Sequence, residues 1–124
     1  MNVPEEYNEV MPYLVLENAT GFMNFMNTVF GAEVQMAIPR EDGGIMHGQL
    51  RLGKSVIMFA DATEQYPPRP SGLFIYVNSV DEVYKKALEA GATSLMPPAK
   101  QDYGYTCGFS DPSGNSLWPC EAPE

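Results

Sequence analysis

The sequence predicts an α+β domain of two tandem βαβββ modules, and an internal repeat is the main reason. The stretches YLVLENATGFMNFMNTVFGAEV, from Tyr13, and LFIYVNSVDEVYKKALEAGATSL, from Leu73, follow one plan. Each has an apolar strand, a polar cap, an amphipathic helix, a Gly-Ala stop and a new strand. Aligning Gly31 on Gly91 gives an offset of 60 residues. Two copies of such a unit indicate a pseudo-symmetric pair of modules and not a solenoid.

The first module is predicted to place its single helix after its first strand. Asn18 is a suitable cap, because its side-chain oxygen can accept a hydrogen bond from a free helical N–H group. Apolar side chains then recur at the spacing of one buried helical face, and Gly31 ends the helix. These side chains are Phe22, Phe25, Met26, Val29 and Phe30. The predicted strands are Met11–Leu16, Val34–Ile38, Ile45–Leu52 and Ser55–Ala60, the last two joined by the tight turn Gly53-Lys54.

The second module repeats this order after the segment DATEQYPPRPS, whose prolines exclude regular structure. Ser79 and Glu82 have the spacing of a capping box, and the DPSG sequence that begins at Asp111 is typical of a type I turn. The helix stripe consists of Val80, Val83, Tyr84, Ala87 and Leu88, and the strands lie over Gly72–Val77, near Ser94, near Thr106 and from Ser116. We therefore expect one domain over residues 1–124, with modules at about 10–61 and 72–121 and a linker at 62–71.

Composition limits the partners and the location of the protein. Sixteen acidic and seven basic side chains give a formal charge of −9 and a pI near 4.4. This charge repels phosphate backbones and anionic membranes, so binding of nucleic acid or membrane is not expected. The acidic start has no signal-peptide pattern, no apolar run reaches the ~18 residues of a membrane span, and two cysteines do not form a disulfide framework. A cytoplasmic location is the resulting expectation.

Strand alternation divides the side chains between two faces of each predicted sheet. A two-residue turn at Gly53-Lys54 pairs Leu52 with Ser55 and Gln49 with Met58. One face then carries His47, Gln49, Arg51, Val56 and Met58, and the apolar face that packs on the helices carries Gly48, Leu50, Ile57 and Phe59. In the second module Phe74 and Tyr76 point away from the helices, Trp118 lies opposite Gly108 on the same face, and Cys107 lies on the helix side. Aromatic walls with a few polar groups suit a small-molecule cavity.

The tandem βαβββ repeat that ends in DPSGNSLW resembles the vicinal oxygen chelate superfamily. This superfamily includes glyoxalase I, bleomycin-resistance proteins and extradiol dioxygenases. The resemblance covers about Met11 to Glu121, and IMHGQLRLGKSVIMFAD and DEVYKKALEAGATSLMPP are similar to a glyoxalase-like branch known from phosphonate operons. It implies mixed sheets curled into a cup with the helices on the outer face. The cup would be completed within one chain or across a homodimer.

The resemblance also implies metal ligands on the first and fourth strands of each module. Those positions are here Met11, Met58, Gly72 and Trp118. Hard divalent cations prefer oxygen or imidazole ligands, which these residues do not supply. The chain has only one histidine, so a two-histidine site cannot come from one chain. We therefore expect neither the usual metal site nor another cofactor.

The predicted ligand contacts all come from the helix-free faces: Tyr13, His47, Gln49, Met58, Phe74, Tyr76 and Trp118. His47 is either a polar group of the cavity, with general-base catalysis as a further role, or a histidine hydrogen-bonded within the sheet. The aromatic residues are either a stacking wall or packing between modules or chains. Cys120 on the cup side could pair with His47 as a nucleophile. Five acidic residues are expected to be solvated: Glu5, Glu6, Glu9, Asp61 and Glu64.

The leading functional prediction is metal-independent binding of a small aromatic or amphipathic molecule by a homodimer. One alternative is a lyase, isomerase or dioxygenase whose non-standard metal site uses His47 and carboxylates, including those of a partner chain. A further alternative is a structural dimer with a filled core and no cavity.

Overall fold

The computed structural model describes residues 1–123 and contains the two predicted modules. The first consists of β1 (Tyr13–Leu16), α1 (Ala19–Phe30), β2 (Glu33–Pro39), β3 (Ile45–Leu52) and β4 (Ser55–Asp61). The second consists of β5 (Gly72–Val77), α2 (Val80–Glu89), β6 (Thr93–Gln101), β7 (Gly104–Ser110) and β8 (Ser116–Glu121). No helix among these residues has the length and apolar character needed to cross a bilayer.

Each module forms its own mixed sheet of four strands. The strand orders are β1-β4-β3-β2 and β5-β8-β7-β6, and neither sheet closes on itself. The pairs β1–β4 and β5–β8 are parallel, and the remaining pairs are antiparallel. The predicted α+β class with two βαβββ modules is therefore confirmed.

The predicted strand register is also confirmed in both modules. Leu52 pairs with Ser55 and Gln49 with Met58, because Gly53 takes the left-handed conformation that a two-residue hairpin turn needs. Residues of one face therefore remain on that face along the whole hairpin. In the second module the Asp111 N–H donates to the Asn115 carbonyl at 2.9 Å, which closes the predicted turn.

Both helices begin at the predicted caps. The side chain of Asn18 accepts a hydrogen bond from the Gly21 N–H at 3.0 Å, and the Ser79 hydroxyl accepts one from the Glu82 N–H at 3.2 Å. Gly31 ends α1 with φ +72°, a conformation that glycine adopts at little cost. The polar caps and the Gly-Ala stop therefore act as the repeat indicated.

A carboxylate at the end of each module's last strand supports the same helix starts. Asp61 accepts a hydrogen bond from the Ala19 N–H at 2.8 Å, and Glu121 accepts one from the Val80 N–H at 2.9 Å. The second carboxylate oxygen of Asp61 also accepts from the Ile45 N–H at 2.6 Å. The prediction that Asp61 is a solvated linker charge is therefore wrong. Its carboxylate satisfies backbone donors that would otherwise lack partners.

The two helices and both sheets share one hydrophobic core. Phe25 and Phe30 of α1 each lie 6.2 Å, between ring centroids, from Phe109 of β7 in the other module. Within the first module Phe22 packs edge-on against Phe59 at 5.4 Å. Leu88 is exposed, contrary to its predicted place in the buried stripe of α2. The helices thus cover only one face of each sheet.

Candidate functional site

The helix-free face of the first sheet presents one row of neighbouring side chains across all four strands. Tyr13 on β1 pairs with Met58 on β4, Met58 with Gln49 on β3, and Gln49 with Met36 on β2. His47 lies two residues from Gln49 on the same strand, and its ring centroid is 5.7 Å from that of Tyr13. The four residues predicted to contact a ligand in this module are therefore adjacent.

Hydrogen bonds join three of these side chains to a fourth from the N-terminal segment. The Gln49 amide nitrogen lies 2.9 Å from His47 Nε2, and the Tyr13 hydroxyl lies 3.3 Å from His47 Nδ1. The Tyr7 hydroxyl donates to the Gln49 amide oxygen at 2.9 Å. We call this set, Tyr7, Gln49, His47 and Tyr13, the His47 network. Gln49 is only 5% exposed, so its amide is a buried polar group with its partners in place.

The helix-free face of the second sheet is aromatic. Phe74 pairs with Trp118 and Tyr76 with Cys120 across the parallel strands β5 and β8. The Phe74 ring lies 5.2 Å from Tyr76 and 6.3 Å from Tyr103, in tilted or edge-on geometry. Phe74 and Tyr76 are 52% and 63% exposed, which is unusual for side chains of this size. We call this set, Phe74, Tyr76, Tyr103 and Trp118, the aromatic patch.

Glycine sets the position of the indole in the aromatic patch. A Cβ atom at Gly108 would lie 3.0 Å from Cη2 of Trp118 and closer still to two other ring atoms. The predicted placement of Trp118 over Gly108 is thus correct. The ring lies flat on the neighbouring strand because that strand has no side chain there.

The chain does not bring the His47 network and the aromatic patch together. Within residues 1–123, no hydrogen bond or ring contact joins the two sets. Phe74 and Tyr76 line a cleft of about 390 Å³ between the modules, where Pro12, Leu52 and Ile57 form the opposite wall. Tyr76 also borders a cleft of about 370 Å³ on the helix side, beside Phe30, Lys86 and Glu82. Neither cleft is lined by Tyr13, His47, Gln49, Met58 or Trp118.

A family model described as the glyoxalase/bleomycin resistance protein/dioxygenase superfamily matches residues 12–118, which is most of the chain. The chain belongs to this superfamily. The match includes both modules, so the shared architecture extends from β1 into β8.

The chain is similar in sequence to an uncharacterised protein and in fold to solved structures, all at low sequence identity. The chain is 28% identical over 116 residues to an uncharacterised protein of Mycobacterium tuberculosis, Rv0887c, covering 84% of this chain and 68% of that protein. TioX from Micromonospora sp. ML1 has a TM-score of 0.77 at 19% identity, covering 94% of this chain and 99% of TioX. TnmS3 from Streptomyces sp. CB03234, described as an antibiotic binding protein, has a TM-score of 0.74 at 18% identity, covering 99% of both chains.

The positions at which the family resemblance implies metal ligands, Met11, Met58, Gly72 and Trp118, do not suit a divalent cation. Met58 offers a thioether, Trp118 an indole ring and Gly72 no side chain, whereas such cations prefer carboxylate oxygen or imidazole. Residues 1–123 contain no cluster of three or more histidine, cysteine, aspartate or glutamate side chains that could hold a metal. This superfamily member therefore has no donor set for the usual site within the described part of one chain.

The structure gives neither cysteine a partner in catalysis. The sulfur of Cys120 lies 3.4 Å from the Glu121 carbonyl oxygen and 3.9 Å from that of Tyr103, and Cys120 is fully buried. Both ring nitrogens of His47 have partners on the first sheet, whereas Cys120 lies on the second, so Cys120 and His47 do not pair within one chain. Cys107 lies in the core as predicted, and burial, aided by the Asp81 charge, raises the pKa of its thiol to about 11.

Sequence reasoning missed Tyr7, whose hydroxyl completes the His47 network. The N-terminal segment has no apolar periodicity that would place this side chain on a sheet. Its one available signal was an aromatic residue within an acidic, polar stretch, which is weak. The buried pair of Asp111 and Asn115 was also treated only as turn chemistry, although Asn115 accepts the Ser71 N–H and so joins the turn to the start of β5.

Proposed function

We propose that this superfamily member binds a small aromatic or amphipathic molecule without a metal, between the His47 network of one chain and the aromatic patch of a second. The observation that carries the proposal is that the helix-free faces carry two complementary features. One face has the hydrogen-bonded His47 network, and the other has the exposed aromatic patch. Tyr13 is 50% exposed beside buried Gln49, and Phe74 is 52% exposed. Ligand sites typically combine apolar walls with a few fixed polar groups.

The arrangement of the core supports a homodimer. Phe25 and Phe30 of α1 contact Phe109 of the second sheet, and the two helix-free faces belong to separate sheets. A single chain leaves large aromatic side chains on both faces exposed: Tyr13, Phe74 and Tyr76. A second copy, related by two-fold symmetry, would cover both faces at once and form two identical sites.

The cytoplasmic location is part of the same proposal. Both cysteines, Cys107 and Cys120, are free thiols, as expected in a reducing compartment. TnmS3, which has the same fold, is described as an antibiotic binding protein, and this supports a binding role over catalysis.

The first experiment identifies a ligand. The untagged protein is screened by thermal shift against planar aromatic and amphipathic compounds, and hits are confirmed by calorimetry. A ligand at 100 times its Kd should stabilise the protein by about 2.7 kcal/mol. Elemental analysis of the same preparation counts metal per chain. Failure of every compound would favour the filled structural dimer, and near-stoichiometric metal would favour the metal-dependent enzyme.

A second experiment tests whether two chains share each site. Tyr13→Ala alters only the first sheet, and Phe74→Ala alters only the second. Each variant alone should lose binding, whereas a mixed dimer should regain one intact site from its two unaltered faces. Tyr66→Ala is the matched control, because Tyr66 is also an exposed aromatic residue but lies outside both faces. If mixing the two variants restored no binding, or if light scattering showed a monomer, a site shared between two chains would be contradicted.

A further inference from the structure

The hydrogen bonds of the His47 network are all donated in one direction, from Tyr7 toward Tyr13. At one end the Tyr7 hydroxyl donates to the Gln49 amide oxygen at 2.9 Å. In this orientation of the Gln49 amide, its –NH₂ group faces His47 Nε2, also at 2.9 Å. An amide –NH₂ group can only donate, so Nε2 must accept and carries no hydrogen in this arrangement.

The ring hydrogen of neutral His47 therefore lies on Nδ1. A neutral imidazole has one donor and one acceptor nitrogen, and Nε2 is already the acceptor. Nδ1 lies 3.3 Å from the Tyr13 hydroxyl oxygen, which accepts that hydrogen. The Tyr13 hydroxyl then keeps its own hydrogen available for donation.

Nothing in residues 1–123 accepts the Tyr13 hydroxyl hydrogen. Tyr13 is 50% exposed and lies on the open face beside Met58, within reach of a bound molecule. We propose that Tyr13 is the hydrogen-bond donor of the binding site and that it selects ligands with a carbonyl or similar oxygen acceptor. The buried Gln49 amide is the positioning group, because it sets the tautomer of His47.

The class of ligand follows from combining this donor with the aromatic patch. Stacking side chains favour a flat ring system, and a fixed donor requires an oxygen acceptor. The net charge of −9 disfavours an anionic ligand, so the acceptor is expected to be uncharged. The preferred class is thus planar aromatic ketones and quinones. The ligand class inferred here rests on the proposed function, whereas the direction of the hydrogen bonds in the His47 network does not. The ligand class and the direction can therefore be tested separately.

Nuclear magnetic resonance tests the direction without any ligand. The chain has one histidine, so the long-range ¹⁵N–¹H correlations of its ring are unambiguous. With the ring neutral, we expect the hydrogen on Nδ1. Gln49→Glu replaces the donor with an acceptor and should move the hydrogen to Nε2. Gln35→Glu, the same change beside Arg51, should leave it on Nδ1. A wild-type hydrogen on Nε2 would overturn the proposal.

Matched ligand pairs test the selectivity. The probes are 9-fluorenone against fluorene and 1-indanone against indane, which differ by a carbonyl oxygen, with binding measured by ligand-observed nuclear magnetic resonance. We expect each ketone to bind up to about tenfold more tightly, and Tyr13→Phe to remove the difference. Tyr66→Phe, the same loss of hydroxyl at an exposed position outside both faces, should retain it. Equal binding within each pair would overturn the inference alone, and binding of none would count against the proposed function also.

Discussion

A methyl group added at Gly48 should destabilise the protein by overpacking its core. A Cβ atom at this position would lie 3.0 Å from Cδ2 of Phe59 and closer still to two further ring atoms. Optimal carbon–carbon separations are about 3.5–4.0 Å, so the ring would have to move by roughly 1 Å or more. Phe59 is fully buried and packs against Phe22 at 5.4 Å, which leaves it little room.

The magnitude of this effect follows from two opposing terms. Overpacking in a dense core costs about 1–3 kcal/mol. Replacing glycine with alanine also reduces the entropy of the unfolded chain, which returns about 0.4–1 kcal/mol. We therefore expect Gly48→Ala to lower the free energy of unfolding by on the order of 1–2 kcal/mol. For a chain of this length that corresponds to roughly 3–10 °C in Tm.

Urea denaturation and calorimetry would measure the change, with two other glycines for comparison. At Gly72 the nearest atom to an added Cβ is the Ser116 carbonyl oxygen at 3.8 Å, so Gly72→Ala should be neutral or slightly stabilising. Gly108→Ala should displace Trp118, but this half-buried ring can turn into solvent. A red shift in emission from the only tryptophan and a small loss of stability are expected. A Gly48→Ala protein as stable as Gly72→Ala would refute the packing argument.

Three further predictions concern polar groups that are wholly or partly buried. The pKa of the Cys107 thiol is raised to about 11 by burial, and this thiol should resist Ellman's reagent until the protein unfolds. Its contribution to the free energy of unfolding should be complete below pH 9 and be lost as the pH approaches 11. Cys107→Ala should remove this pH dependence. Asp111→Asn should lower the free energy of unfolding in urea by about 1–3 kcal/mol, because its new –NH₂ group would face that of Asn115; an unchanged midpoint would contradict this. Asp61→Asn should cost about 1–3 kcal/mol in the same assay, since an amide has one acceptor oxygen for two backbone donors, and an undiminished stability would exclude this double role.

Strand and helix positions follow closely from the sequence because local signals decide them. The Gly53-Lys54 turn determines register, and period-two alternation then assigns Gln49 and Met58 to one face. Asn18 and Ser79 cap helices through atoms only three residues away. Such contacts depend on neighbouring residues along the chain, which a sequence displays directly.

The candidate site is less predictable because its essential contacts join distant parts of the chain. In the site, Tyr7 reaches Gln49 across 42 positions; outside it, Asp61 reaches Ala19 at the start of α1 across the same separation. No periodic pattern marks either contact, and Asp61 follows a strand in the way that a solvated linker residue often does. The sequence therefore identified the helix-free faces correctly but not the groups that complete them.

The packing of α1 against Phe109 has a consequence for how the two halves of the repeat could exist alone. Phe25 and Phe30 of one half pack beside β7 of the other, so each half completes part of the other's interior. Cutting the linker would yield two fragments with exposed aromatic surfaces, each able to recover its structure only by finding the other. The sequence repeats, but the interior does not divide at the linker into two separate cores.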